Sequence, residues 1–325
     1  MIRFRRVTLQ LLRAWLVAQP QTGAYPGYRL RVWREDNAAF QALCDELVAY
    51  VQEALDDART RIRKGFEDSL SPFADRTDDP ATHYPAMLHR VTLQGYFGET
   101  LAGLAVEHFG AFGETDWQVP AFLFRFHDQE FQHLDLINER FLTGEPHDPD
   151  AEAEMRPGRT GDDALAFRLD ENGKIIHVLT LEAKCLAASN TKTMAEAHSK
   201  LSVGQMRPSG IRELIALLSD YKTAEAQAWC ARLLELYGEG FKTVKRSDGL
   251  AYAVGNRPVR PKTRVSWLPD DAPHKSYIAD RPLEGNRSAR GVIPWPCFTS
   301  ETTRHDQQGG RSGRWTDREQ TSSGA

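Results

Sequence analysis

Cysteine is scarce and scattered. The four residues, Cys44, Cys185, Cys230 and Cys297, form no CxxC pair, which argues against a zinc site or a disulfide framework and favours a reducing cytoplasm. Long apolar runs are missing too. The N-terminal MIRFRRVTLQLLRAWLVAQPQTGA has a basic start and an apolar stretch, but Gln10 and Arg13 interrupt it. A spanning helix needs roughly 18 uncharged apolar residues, so no membrane association is expected. Neither sign of charge dominates: 41 Lys and Arg face 45 Asp and Glu, for a formal charge of -4 and a pI near 6.2. That balance excludes a surface built to coat nucleic acid and leaves any such contact to local patches. There is no internal repeat and no Walker motif, so an ATP-driven step would require a partner.

What is present is ordinary for a soluble globular chain. At 325 residues, 41% hydrophobic and 26% charged, it has room for one large domain or two modest ones. Strands are expected around Phe4 to Leu12 and Tyr28 to Trp33. A helix is expected over 37 to 66, where Phe40, Leu43, Cys44, Leu47, Val48 and Val51 recur at helical spacing. The stretch from Asp68 to Pro85 is polar and aperiodic, which places a boundary near residue 85. LQGYFGETLAGLAVEHF reads as a helix from Leu93 to Phe109, VPAFLFRF as a strand, and DQEFQHLDLINERFL as a helix. Residues 192 to 237 read as helical with a break near Pro208 and Gly210. The chain beyond is basic and irregular, with one strand expected around Arg264 to Leu268, and from Thr299 it has too little to bury to stay ordered.

Two strands, DALAFRL and KIIHVLTLEAKCL, flank the turn DENG. Asn-Gly favours a hairpin because both residues tolerate positive φ. In the second strand Glu182 and Lys184 lie two residues apart and share a face, while Leu181, Ala183 and Cys185 share the other. Charges in a buried strand need a salt bridge or a function. A two-residue Asn172-Gly173 loop puts Asp163 directly opposite Glu182. A four-residue loop leaves them diagonal on one face, and only an odd-length loop substitutes Asp162. Opposed carboxylates lie close enough to share one Mg²⁺ (or Mn²⁺), which prefers one or two carboxylates plus water and phosphate oxygens.

These residues, GDDALAF, a turn and VLTLEAKC, resemble the D...ExK signature of the PD-(D/E)xK nuclease superfamily. The resemblance covers roughly residues 90 to 220. It implies an α/β chain with a restriction-endonuclease-like αβββαβ core, and a metal-dependent nuclease cleaving DNA. Asp163 and Glu182 would ligate the metal and Lys184 would be the catalytic lysine. Many members place a glutamate on the preceding helix, and Glu99 stands there, with Glu107 as the weaker choice. The literal Pro149-Asp150 pair falls in an irregular acidic loop, so register favours Asp163. Lys200 and Gln205, on the helix after the ExK strand, would reach substrate phosphates. Arg257, Arg260 and Lys262, within the basic stretch 241 to 264, read equally as phosphate contacts or as a solvated face. His127 and His133, six residues apart, read as surface histidines. The expected organisation is an α+β region at 1–85, a nuclease-like domain at 86–270, and an irregular segment with a disordered tail at 271–325. Placement of GRTGDD and LEAK also resembles the nuclease subunits of Hachiman-type anti-phage systems, which implies an effector working with a helicase or ATPase. The alternative is a non-catalytic nucleic-acid-binding or partner-docking module on the same fold.

Overall fold

The computed structural model describes residues 7–19, 26–67, 81, 84, 90–122, 143–144, 162–203, 207–256 and 268–289. The first element departs from expectation. Leu9–Trp15 is a helix, α1, rather than part of a strand: the Thr8 hydroxyl accepts from the Leu11 N–H, and Leu12 and Trp15, three apart, share the buried side. Only then does the chain extend, as β1 (Leu16–Gln19) and β2 (Tyr28–Glu35). Helix α2 (Asn37–Glu67) buries Leu43, Leu47, Tyr50, Val51, Leu55 and Ile62 along one side, at the spacing its sequence shows. Helix α3 is Arg90–Phe109. Residues 119–122 carry no strand, although Gln118 and Phe167 exchange two backbone hydrogen bonds, both 2.9 Å. The remaining residues of that expected strand, the helix after it and most of the acidic insert lie outside the described residues.

The hairpin is β3 (Ala164–Leu169) and β4 (Ile175–Ala188). Helices α4 (Thr191–Val203), α5 (Ile211–Ser219) and α6 (Ala224–Glu239) follow, with the anticipated break around Pro208. Strand β5 (Lys245–Asn256) was not expected from the basic stretch, nor β6 (Leu283–Ala289) from a segment read as irregular. The six strands among the described residues form one mixed sheet in the order β1-β2-β6-β5-β4-β3, antiparallel at its two ends and parallel between. Strands of the N-terminal region and of the C-terminal segment thus share a sheet with the central hairpin.

Alternation along the interior strands sorts the helices. Leu179, Leu181 and Cys185 of β4 pack with α3 and α2, and Gly98 of α3 lies so close that a Cβ there would be 3.0 Å from that of Cys185. The other face receives α5 and α6 against Leu165, Phe167 and Val178, and α4 against Leu250, Tyr252 and Val254. His177 and His198 are buried in this framework. His177 Nε2 lies 2.9 Å from Ser247 Oγ, and His198 Nδ1 lies 2.8 Å from the Met194 carbonyl. Burial pulls both imidazoles from 6.5 down to about 4, helped by Lys245 and Arg168 at His177. A folded value below the unfolded one means the unfolded chain binds more protons in that window. The contribution is therefore complete above pH 6.5 and is lost as pH falls towards 4. His198→Gln should flatten this loss relative to the parent, as read from urea midpoints between pH 7 and 5; parallel curves would refute it.

Candidate active site

The hairpin turn is neither of the even-length loops. Asp170 N–H donates to the Lys174 carbonyl and Gly173 N–H to the Asp170 carbonyl, leaving a three-residue loop with Gly173 at φ 79°. The Asp170 carboxylate accepts from the Asn172 and Lys174 N–H groups and fixes it. An odd loop alone would slip the register by one and bring forward Asp162. A bulge cancels the slip: Leu169 pairs with Ile175 but Arg168 pairs with His177, so Ile176 is passed over and left 39% exposed. The ladder then runs to Ala164 opposite Leu181, one step short of Asp163 and Glu182.

Asp163 continues the ladder with its side chain. Its N–H donates to the Leu181 carbonyl at 3.0 Å, and its Oδ2 accepts from the Ala183 N–H at 2.8 Å. The carboxylate is thereby pinned beside β4. Asp162 turns elsewhere: its Oδ2 accepts from Ser209 Oγ and the Gly210 N–H, where α5 begins and favours a negative charge. The two adjacent aspartates are thus divided between a helix start and the site.

Glu182 is 1% exposed, on the face that meets α4. Its Oε1 lies 2.6 Å from Lys184 Nζ and its Oε2 lies 2.5 Å from Lys200 Nζ. Lys200 Nζ also touches Asp163 Oδ1 at 3.0 Å. Two carboxylates therefore converge on one ammonium, and the four side chains cancel in charge. Burial, then the Asp163 charge, pushes the Glu182 carboxyl up to about 7 against the opposing pull of Lys184 and Lys200. Burial would lower the Lys200 pKa, but Asp163 and Glu182 outweigh it and raise it overall.

The donor set fits a small hard cation. Two oxygens, one from Asp163 just before β3 and one from Glu182 of β4, already face one point, and Glu182 Oε1, although at ion-pair distance from Lys184, has no partner in hydrogen-bond geometry. A divalent ion with water and phosphate oxygens would complete such a pair. No group of three or more His, Cys, Asp and Glu is arranged to hold a metal among the described residues. Glu99 is buried on α3, next to Gly98, the residue that abuts Cys185 on the face away from Lys200. The structure brings together Asp163, Glu182, Lys184 and Lys200, and Glu99 does not complete a three-carboxylate group with Asp163 and Glu182.

Gln205, Arg257, Arg260 and Lys262 lie outside the described residues, as do His127 and His133. Arg246, from the same basic stretch, is buried beside Asp248, and Asp248 Oδ2 is gripped by the Tyr277 hydroxyl at 2.8 Å and by Arg281. That pairing makes Arg246 part of the interior. Tyr252 was not anticipated near the site. It pairs with Lys184 across β4 and β5, on the same face, and its hydroxyl lies 2.8 Å from Ser189 Oγ. The alternation Leu250, Tyr252, Val254 was the signal for it. No family model matches this chain, and no curated protein matches it either.

Proposed function

We propose that this chain is a divalent-cation-dependent phosphodiesterase of the PD-(D/E)xK type, acting on DNA. The observation that carries the reading is the convergence of Asp163 and Glu182 on a single cation, with Lys184 alongside on the Glu182 face. The element order supports it in outline: α3, β3, β4, α4 and, after the additional helices α5 and α6, β5 match an αβββαβ core, with the isolated Gln118 bridge standing where its first strand would be. Mg²⁺ or Mn²⁺ bound there would supply a water of lowered pKa and offset charge on the scissile phosphate. Asp163 and Glu182 would hold the ion, Asp163 oriented by the Ala183 N–H and Glu182 by its buried strand. Lys184 would direct its ammonium at the nucleophile or at the phosphate oxygen where charge develops.

Lys184→Ala should lower Mg²⁺-dependent cleavage of DNA by about 10²- to 10³-fold, the usual cost of losing one charge-stabilising donor. EDTA should stop the parent. Cleavage by Lys184→Ala at the parental rate would refute the mechanism. A second reading draws on the neutrality of the four-charge cluster, which needs no metal to balance it: a non-catalytic nucleic-acid-binding or partner-docking module. It requires salt-sensitive binding and no cleavage under any divalent ion. A role as the effector of an anti-phage system with a helicase or ATPase partner rests on the Hachiman-type resemblance. Its test is phage protection that the Lys184→Ala chain fails to give. No helix among the described residues is long and apolar enough to cross a membrane.

A further inference from the structure

We infer that Lys200 is a tethered counter-ion that holds the cation position between Asp163 and Glu182, and that it gives up this place when a divalent ion binds. The inference rests on the metal-dependent reading above and adds a competition within the chain. Lys200 Nζ touches Asp163 Oδ1 at 3.0 Å and Glu182 Oε2 at 2.5 Å, so ammonium and ion claim the same oxygens. Without Lys200, two carboxylates would face Lys184 alone, leaving an uncompensated charge at a strand residue 1% exposed.

The exchange is a side-chain movement. Lys200 keeps 30% of its side chain in solvent, whereas Asp163 keeps 11%. The helix that carries it is fastened directly beyond it. Arg281 Nη2 donates to the Leu201 carbonyl at 2.8 Å, while Ser202 Oγ accepts from the Ile278 N–H at 2.9 Å. Arg281 is itself anchored on buried Asp248. A fixed backbone with a long, part-exposed stem lets the ammonium swing out without shifting α4. The displaced ammonium stays within a side chain's length of the ion, where a phosphate would next bind. The device ties charge on the substrate to release of the carboxylates, and it sets a threshold of divalent ion below which the site is closed.

Removing the competitor should tighten binding. Mn²⁺ titrations of the full chain, followed by the EPR signal of free Mn²⁺, would compare the parent, Lys200→Met, Lys200→Arg, Glu182→Gln and the double variant Lys200→Met with Glu182→Gln. Lys200→Met keeps the stem without the charge, and its Mn²⁺ dissociation constant is expected to fall at least tenfold. Lys200→Arg should remain at or above the parental value. Its metal-free unfolding temperature should drop in Lys200→Met and recover with Mn²⁺ more steeply than the parent's, which also covers a variant that folds only when loaded. If the parent binds Mn²⁺ in a manner lost in Glu182→Gln, yet Lys200→Met binds no more tightly, the counter-ion role is overturned and the metal site stands. If no binding in the parent or in Lys200→Met depends on Glu182, both fall.

Discussion

Glu182→Gln should abolish Mg²⁺-dependent cleavage while leaving the fold intact. The amide is isosteric but carries no charge, so the proposed ion site loses one of its two carboxylates. Metal ions supply several kcal/mol of transition-state stabilisation, and each 1.36 kcal/mol is a factor of ten in rate, so the loss should reach roughly a thousandfold. Stability should move the other way. The folded chain holds the Glu182 proton more tightly than the ordinary 4.5 of a free glutamate, with a value of about 7, burial being the main cause. The group's contribution is therefore complete below pH 4.5 and is lost as pH rises through 7. At pH 8 without metal the amide variant should equal or exceed the parent in urea midpoint. Its window opposes that of His177 and His198. Cleavage by Glu182→Gln above a tenth of the parental rate would sink the assignment, whatever its stability.

Gly110→Ala should be the most damaging of the small substitutions. Gly110 ends α3 at φ 75°, and a Cβ there would fall 2.0 Å from the Glu114 carbonyl oxygen. The obstacle is backbone. Gly110 N–H donates to the Val106 carbonyl, and Ala111 and Glu114 exchange two hydrogen bonds, each 2.9 Å. The Trp117 indole N–H donates to the Ala111 carbonyl, and Glu284 accepts from the Phe112 N–H at 2.6 Å. Every way of yielding breaks one of these contacts. The left-handed conformation alone costs a residue with a Cβ about 1 to 2 kcal/mol, and the clash should bring the total to about 4 kcal/mol or more. Gly240 provides the contrast, since it has φ 69° but nothing within 4 Å of its Cβ position. Gly240→Ala should cost only about 1 kcal/mol. Equal urea midpoints for the two variants would refute the steric argument.

Elements with a local signature were legible: the apolar stripe of α2, the helix over α3, the Asn-Gly hairpin and the ExK strand. β5 and β6 were not, and the reason is where their partners come from. Arg246 and Asp248 look like surface residues until Arg281 and Tyr277 are folded onto them. Glu284 is 1% exposed because Arg31 pairs with it at 2.8 Å and the Phe112 N–H donates to it. None of these partners lies in the same segment, so local periodicity cannot register them. Counting from a two- or four-residue loop selects Asp163 over Asp162. The structure sets Asp163 beside β4 through an odd loop whose slip is offset by the bulge at Ile176. Lys200 was read as a phosphate contact, and pairwise strand register contains no information about what a helix lays over it.

The sheet order has a consequence for the birth of the protein on the ribosome. β6, at Leu283–Ala289, is hydrogen-bonded between β2 and β5, so the sheet itself does not connect the first two strands to the candidate-site hairpin until almost the whole described chain has emerged. Arg281, just before it, is the residue that fastens α4 at Leu201. The carboxylates and their lysines are synthesised early but receive their final support late. A nascent chain therefore carries its charged cluster through most of translation without the sheet that defines it, and competence is deferred until synthesis has passed the last strand.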